Sequence, residues 1–412
     1  MRRLLTFFIL SAFLFINQTE ACTTAIVSGK FTKNGRPLIF KHRDTGQLQN
    51  KIMYFEDGKY NYMGVVNSVD KDGNEVWMGT NSAGFCIMNS ASYNLKSEDD
   101  TTSVMDREGI IIKLALQECK STEDFEKLLN NLPKPLGVEA NFGVIDAFGG
   151  AAYYETDNWG FKKIDVNDTK IAPFGYVIRT NYSFTGTRDD GYGYIRYFNA
   201  EELLYNAEAT KSIDHKFFLK DISRCLKHSL LKKDWNNDFP KDSNDPFYII
   251  TQDYIPRYSS ASTFLCEGVK EGEPVEMTTM WTILGYQLCT VAIPAWVSVC
   301  PELPKVAIAD ETGNAPICNA ALNLKKQVYP IERGNGNSYM NLTALYNKDG
   351  EGIYQKIRKI EDEVFEYTDK KISNWRNKGL AEEEVQDYYR WLDKLIASEY
   401  EKAFGIKMKI LH

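Results

Sequence analysis

Two short segments decide how this chain is read: Thr19-Glu20-Ala21-Cys22-Thr23-Thr24-Ala25-Ile26-Val27-Ser28 and, beyond a turn at Lys33-Asn34-Gly35, Pro37-Leu38-Ile39-Phe40 running into Lys41-His42-Arg43-Asp44-Thr45. Apolar and β-branched runs bounded by turn residues read as strands, here Thr23 to Ser28 and Pro37 to Phe40. What precedes them has the make-up of a secretory leader: Arg2 and Arg3, an apolar run from Leu4 to Ile16, then polar and small residues from Asn17 to Ala21. That run of about 13 residues falls short of the roughly 20 that span a hydrocarbon core. Thr19 and Ala21 supply small residues at the two positions a signal peptidase reads. Residues 1–21 are therefore expected to be a signal peptide cut after Ala21. The product is expected to be secreted or periplasmic, with no stable membrane insertion after cleavage. Cys22 then becomes a first residue whose thiol and free α-amine belong to one amino acid. The rival reading is a lipid on Cys22, because lipoproteins also begin with Cys; Glu20 beside the cut and Thr19 in place of Leu match a lipobox poorly.

The full chain of 412 residues has the composition of a folded globular protein, 43% hydrophobic and 25% charged. Lys plus Arg number 49 against 56 Asp plus Glu, a formal charge of −7, which offers no basic field to a phosphate backbone and argues against nucleic acid as a partner. Strand signals recur at Tyr62 to Val66, Gly84 to Met88, Phe142 to Ile145, Ala151 to Tyr154, Tyr176 to Thr180, Ser262 to Leu265, Thr278 to Leu284 and Thr290 to Ile293. Helical spacing marks Ile110 to Leu116, Thr122 to Leu132 and a longer region from about Ile195 to Leu231. Strands alternating with helices in this way suggest a layered α+β body over residues 22–330. Past Pro330, Ile353, Ile357, Ile360, Val364 and Phe365, then Val385, Tyr388, Tyr389, Leu392 and Ile396, fall at helical spacings on either side of Asn377-Lys378-Gly379. Residues 331–412 are expected to form a helical hairpin whose apolar stripes pack on the body, on each other, or in a homo-oligomer.

The familiar catalytic motifs built on GxSxG, HExxH or a phosphate-binding Gly-rich loop are missing, and the chain has only four His. Cys22, Cys86, Cys119, Cys225, Cys266, Cys289, Cys300 and Cys318 form no CxxC pair and no zinc spacing, so neither metal nor cofactor is implied. Most are expected to be buried free thiols. His42 stands within the Lys41-to-Asp44 run, and His215, His228 and His412 lie in charged or terminal contexts read as exposed. An N-terminal Cys needs no His: its amine has an ordinary pKa near 8 and can take the proton of its own thiol.

Cys22-Thr23-Thr24, Gly35-Arg36-Pro37-Leu38 and Lys41-His42-Arg43-Asp44-Thr45 together resemble the start of the N-terminal-nucleophile (Ntn) hydrolases related to choloylglycine hydrolase, penicillin V acylase and isopenicillin-N acyltransferase. Asn81-Ser82-Ala83-Gly84 leading to Asn89, Asn141-Phe142-Gly143-Val144 with Tyr154-Glu155, and Arg179-Thr180-Asn181-Tyr182 resemble later segments of that family in the same order. The resemblance implies a four-layer αββα sandwich and an enzyme that cleaves the linear amide of a small N-acylated compound. In it Cys22 attacks the carbonyl and forms a thioester acyl-enzyme, Asp44 holds the α-amine, and Arg43 lowers the thiol pKa or positions the substrate. Asn89 and Asn181 offer their side-chain amides to the oxyanion. Two positions depart from the family: Lys41 stands where members often carry Arg, and Thr263 where they carry a later Arg, with Arg257 nearby. Tyr286 is a candidate for lining an acyl pocket, and Trp281 for a substrate platform or, more simply, core. An acyltransferase sharing the same acyl-enzyme, and a lipid-anchored binding protein using Cys22 only as an anchor, are the alternatives.

Overall fold

The computed structural model describes residues 21–297 and 301–410; the leader up to residue 20, Cys300 and His412 lie outside the described residues. The strands in chain order are β1 (Ala21–Val27), β2 (Leu38–Asp44), β3 (Asn50–Phe55), β4 (Tyr62–Asn67), β5 (Met78–Asn81), β6 (Cys86–Ala91), β7 (Ala140–Ile145), β8 (Ala151–Thr156), β9 (Phe161–Asp165), β10 (Tyr176–Arg179), β11 (Lys227–His228), β12 (Lys233–Asp234), β13 (Tyr248–Ile250), β14 (Ser260–Glu267), β15 (Thr279–Leu284), β16 (Ile293–Ala295) and β17 (Tyr339–Asn341). The α-helices are α1 (Glu108–Glu118), α2 (Thr122–Asn131), α3 (Tyr194–Ala209), α4 (Pro316–Val328), α5 (Leu342–Leu345), α6 (Ile353–Lys378) and α7 (Glu382–Phe404).

Two antiparallel sheets form the body of an α+β fold. One is a meander of seven strands in sequence order, β3 to β9; the other has the order β10-β1-β2-β14-β15-β16. The sheets face each other: Tyr153 of β8 donates a hydrogen bond to Thr24 Oγ1 of β1 at 3.0 Å, and Cys86 Sγ of β6 lies 2.8 Å from Cys266 Sγ of β14. On the far side of the meander, Ile111, Ile112 and Leu116 of α1 and Phe125 and Leu129 of α2 close a core with Phe85, Phe142 and Tyr154. The far side of the six-stranded sheet is covered by α3, by a single π-turn at Phe217–Ile222, and by α6 and α7. A sheet covered on both faces has no solvent side, which is why Ala25-Ile26-Val27 of β1 and Leu38-Ile39-Phe40 of β2 read as apolar runs without polar alternation.

The C-terminal helices are part of this core. Phe365 of α6 packs on Trp281 at 5.2 Å, and Trp375 of α6 meets Trp296 at 5.1 Å. Arg224 clasps Glu361 of α6 through two hydrogen bonds of 2.6 Å, with both side chains fully buried. Helix α7 packs on α6 through Trp391 and Tyr367, whose rings are 4.0 Å apart, and its Asp393 accepts the backbone N–H groups of Lys305 and Val306. The break expected at Asn377-Lys378-Gly379 ends α6 at Lys378, where Gly379 takes a φ of 89° that favours glycine.

The helix expected from about Ile195 to Leu231 is shorter. It stops at Ala209, because Lys211 turns to a positive φ of 54°, and the chain then makes a π-turn and the small ladder of β11 and β12. Strands β3, β5 and β9 and helix α4 were not anticipated. Cys22, Cys86, Cys119, Cys225, Cys266, Cys289 and Cys318 are buried free thiols. His215 and His228, read as exposed, are enclosed: His215 stacks on Trp281 at 5.2 Å and His228 is 4% exposed.

Candidate active site

The register of β1 and β2 sets the geometry. Cys22 pairs with Arg43, and Ala21 with Asp44. Side chains directly opposite in a ladder share a face, and successive residues alternate. Cys22, Thr24, Lys41 and Arg43 therefore point between the two sheets, while Thr23, His42 and Asp44 point toward the helices. Arg43 and Asp44 are not the surface ion pair that adjacent charges often make. Both are fully buried, on opposite sides of the sheet.

On the inter-sheet face, Arg43 Nη1 donates to Asn50 Oδ1 and Asn67 Oδ1 at 2.9 Å each, and its guanidinium lies 4.4 Å over the Trp77 ring. Lys41 Nζ donates to Asn89 Oδ1 at 2.6 Å and to Trp77 O at 3.0 Å. Asn89 thus reaches the site through Lys41, the residue standing where the resemblance led us to expect Arg. Cys22 is 2% exposed, on the same face as Arg43.

The helix side holds a compact polar cluster. Arg257 Nη2 donates to Asp44 Oδ2 at 2.6 Å, and Ser260 Oγ donates to Asp44 Oδ1 at 2.5 Å. Burial, the largest influence, pushes the Asp44 carboxyl up, but the Arg257 guanidinium and His42, with Arg196, together outweigh it and hold the pKa at about 2. His42 Nε2 lies 2.9 Å from the same Ser260 Oγ. A Ser, a His and an Asp so arranged invite a triad reading, which hydrogen-bond direction excludes. The single hydroxyl proton goes to Asp44, so His42 Nε2 is the donor to Oγ, the reverse of what an activated serine needs. Burial lowers the His42 pKa, which fits a neutral ring.

Between the two faces lies the Cys22 nitrogen. In the intact chain it is a peptide N–H that donates to Asn181 Oδ1 at 2.9 Å. The same oxygen accepts from Arg196 Nη2 at 2.7 Å, while Asn181 Nδ2 donates to Ala91 O at 2.9 Å. Two donors on one atom and an acceptor on the other assign the carboxamide's orientation. In the intact chain, then, Asn181 Oδ1 holds the Cys22 nitrogen, Asp44 is engaged by Arg257 and Ser260, and one N–H of the Asn181 amide goes to Ala91 O. Asn181 is also fully buried, so its Asn-x-Ser triplet is no glycosylation acceptor.

Sequence reasoning missed Arg196. From the first turn of α3 its Nη1 donates to Cys22 O and, at 3.1 Å, to Thr23 Oγ1. Gly193, with a φ of 87°, makes this possible, because a Cβ there would collide with Arg196 Nη2. No motif marks it; the one local signal is the glycine-rich turn Gly191-Tyr192-Gly193 that opens the helix.

The two substrate-lining candidates belong elsewhere. Trp281 is 1% exposed on β15, sealed by His215 and Phe365 against the C-terminal helices. Tyr286 is fully buried, its hydroxyl 3.3 Å from that of Tyr329 and its ring 5.5 Å from Lys325 Nζ. Neither offers surface to a ligand, so both are core. Thr263, the other departure from the family, accepts from Gln287 Nε2 at 3.2 Å within that core. A groove of about 830 Å³ runs beside β10 and α3 and is lined by Phe174, Phe184, Tyr194, Tyr197 and Phe198. Among the described residues no group of His, Cys, Asp and Glu is placed to hold a metal, and no helix is long and apolar enough to cross a membrane.

The family model for acyl-coenzyme A:6-aminopenicillanic acid acyl-transferase matches residues 32–280, more than half of the 412 residues, and the chain belongs to that family. The match takes in β2, Asn89, Asn181, Arg196 and Arg257 and begins beyond Cys22. Solved structures similar to this chain include a Caenorhabditis elegans ortholog of N-acylethanolamine-hydrolyzing acid amidase (12% identity, 59% of this chain and 92% of that one, TM-score 0.41). A variant of the conjugated bile acid hydrolase from Clostridium perfringens is similar at 14% identity, 67% and 92% coverage and TM-score 0.42. Penicillin V acylase from Agrobacterium tumefaciens is similar at 8% identity, 67% and 86% coverage and TM-score 0.35. No curated protein sequence matches the chain.

Proposed function

We propose that this protein is an exported Ntn amidohydrolase with the four-layer αββα arrangement, cleaving the linear amide of a small N-acylated compound through a thioester on Cys22. One observation carries the reading: the Cys22 nitrogen is already seated on a side-chain acceptor, Asn181 Oδ1, which would serve an α-amine as well as it serves the peptide N–H. Cutting after Ala21 would turn that nitrogen into a base on the same residue as the nucleophile. As the Sγ–C bond forms, the thiol proton passes to the amine; as the C–N bond breaks, it passes to the departing nitrogen. Arg43 supplies a cation on the sulfur's face of the sheet, which favours thiolate. Of the two amides expected at the oxyanion, Asn89 keeps its N–H2 group available, since Lys41 engages its oxygen. The aromatic groove beside β10 suits an apolar acyl group.

Membership of an acyltransferase family favours a second reading, transfer of the same acyl group to an amine acceptor. Incubating the processed protein with N-acyl amino acids, bile-acid conjugates and penicillins, with and without an amine acceptor, and reading products by mass spectrometry separates water from amine as the acceptor. N-terminal sequencing tests the premise. A mature chain beginning elsewhere than Cys22 would overturn both the enzyme and the anchored reading, whereas a diacylglyceryl mass on Cys22 would overturn the enzyme reading and leave the anchored binding protein.

A further inference from the structure

We propose that Arg196 is a positioning residue that tunes the base: sharing Asn181 Oδ1 with the Cys22 nitrogen, its guanidinium keeps the α-amine of processed Cys22 uncharged at neutral pH and free to take the thiol proton. The inference rests on the reading of Cys22 as a processed nucleophile.

One side chain brackets Cys22. Nη2 reaches the acceptor of the Cys22 nitrogen at 2.7 Å, and Nη1 reaches the carbonyl of Cys22 itself and the hydroxyl of Thr23. Arg196 is 1% exposed, so water does little to screen its charge. A protonated amine would bring a second cation onto the same oxygen, and a neighbouring like charge disfavours the charged form.

The remaining charges do not reverse this sign. On β2, Asp44 is the nearest acid but is matched by Arg257 at 2.6 Å, His42 is held neutral by burial, and Lys41 and Arg43 are cations across the sheet. Glu155 of β8 is matched by Arg179 of β10 at 2.7 Å. Asp253, on the loop that carries Arg257, acts on Arg196 more weakly than Asp44 does. Burial, then Arg257, lowers the Arg196 pKa to about 9, which leaves the guanidinium charged at neutral pH. Asn181 can only accept from the nitrogen, so it takes an N–H and leaves the amine lone pair for Sγ.

The test uses the processed protein and two probes, cyanate for the α-amine and iodoacetamide for the thiol, followed by peptide mass spectrometry from pH 5 to 9. In the wild type the Cys22 amine is expected to titrate about one pH unit or more below its ordinary value near 8. In Arg196→Met the amine titration and the acidic limb of kcat/KM should rise by about one unit, slowing turnover about tenfold at pH 6, with Arg196→Lys restoring most of the loss. A wild-type amine titrating at 8 or above overturns the proposal even if Arg196→Met fails to fold. So does a folded Arg196→Met with an unmoved limb. A blocked or absent Cys22 terminus overturns the nucleophile reading as well; a free, reactive Cys22 with an ordinary amine overturns this proposal alone.

Discussion

Asn181 accepts the N–H of Cys22 at 2.9 Å while its own N–H2 group is tied to Ala91 O, so the residue meets the candidate nucleophile as an acceptor and not as a donor. Asn181→Asp keeps the acceptor and adds a negative charge beside the nitrogen. An anion there favours an ammonium, so the acidic limb of kcat/KM is expected to move to higher pH by about one unit, with the rate above pH 8 largely retained. Asn181→Leu deprives both Arg196 and the nitrogen of their partner, and kcat should fall at least about tenfold. Steady-state kinetics across pH check both.

Acyl-enzyme formation should be confined to one thiol. Burial pushes Cys119, Cys225 and Cys318 up to about 12, and a protonated buried thiol is a poor nucleophile. Treating the native, processed protein with an activated amide and digesting it is expected to give a thioester on the Cys22 peptide only, and none in Cys22→Ala. Acylation persisting in that variant would remove Cys22 from the chemistry.

Asp44 contributes to acid stability. Its folded pKa of about 2 lies below the ordinary 3.8, so the contribution is complete above pH 4 to 5 and is lost as pH falls through about 2. The difference corresponds to about 2 kcal/mol. Asp44→Asn also leaves Arg257 without its partner, and is expected to lower the unfolding free energy by at least that amount at pH 7 and to flatten the decline between pH 5 and 2. Urea unfolding at several pH values measures this.

His215 acts in the opposite direction, on the alkaline side. It lies between Asp369 of α6, 3.4 Å from Nε2, and Glu267 of β14, 3.7 Å from Nδ1. Burial lowers its pKa, but the two carboxylates outweigh burial and raise it from 6.5 to about 9. A group raised in this way contributes fully below about pH 6.5 and loses its contribution as pH rises through 9, an effect of about 3 kcal/mol. His215→Gln should therefore reduce stability at pH 6 and leave it nearly unchanged at pH 10. Hydrogen exchange in α6 is expected to rise in wild type over that same interval.

A further clamp holds α6. Arg224 and Glu361 are both fully buried, so removing either charge strands the other in a dry interior. Glu361→Gln is expected to cost about 3–5 kcal/mol, whereas exposed pairs on α7 such as Arg390 with Asp387 should cost less than about 1 kcal/mol. Thermal melts of the two variants make the comparison.

The sequence was legible where local pattern and tertiary demand coincide. The edges of α1, α2 and α6 follow the apolar spacing and the break at Gly379, and most strands of both sheets stand where alternation or turn residues announce them. Strand β3 was hidden because Asn50-Lys51 opens it with residues that propensity assigns to surface, yet Asn50 is fully buried as the acceptor for Arg43. Segment order pointed to Cys22, Arg43, Asp44, Asn89 and Asn181, but not to which atom of each does what. A strand's period fixes a residue's face only once the register is known, and the turn of the Asn181 carboxamide is set by Arg196 and Ala91, one 15 positions ahead and the other 90 behind. Arg196 left no trace because nothing local to the first turn of α3 tells an arginine that reaches back 174 positions to Cys22 from one that ends in solvent.

The bond between Ala21 and Cys22 lies inside β1, paired to Asp44 and Arg43 of the neighbouring strand. A processing peptidase needs its substrate extended and unpaired in its own cleft, and the closed ladder denies it that. Any cut at this bond must precede the docking of β1 on β2, or else be made by groups the folded chain already holds around it. If a separate peptidase makes the cut, cleavage and folding have a fixed order, and a molecule that folds first keeps its nitrogen locked in an amide unless the folded chain cuts itself.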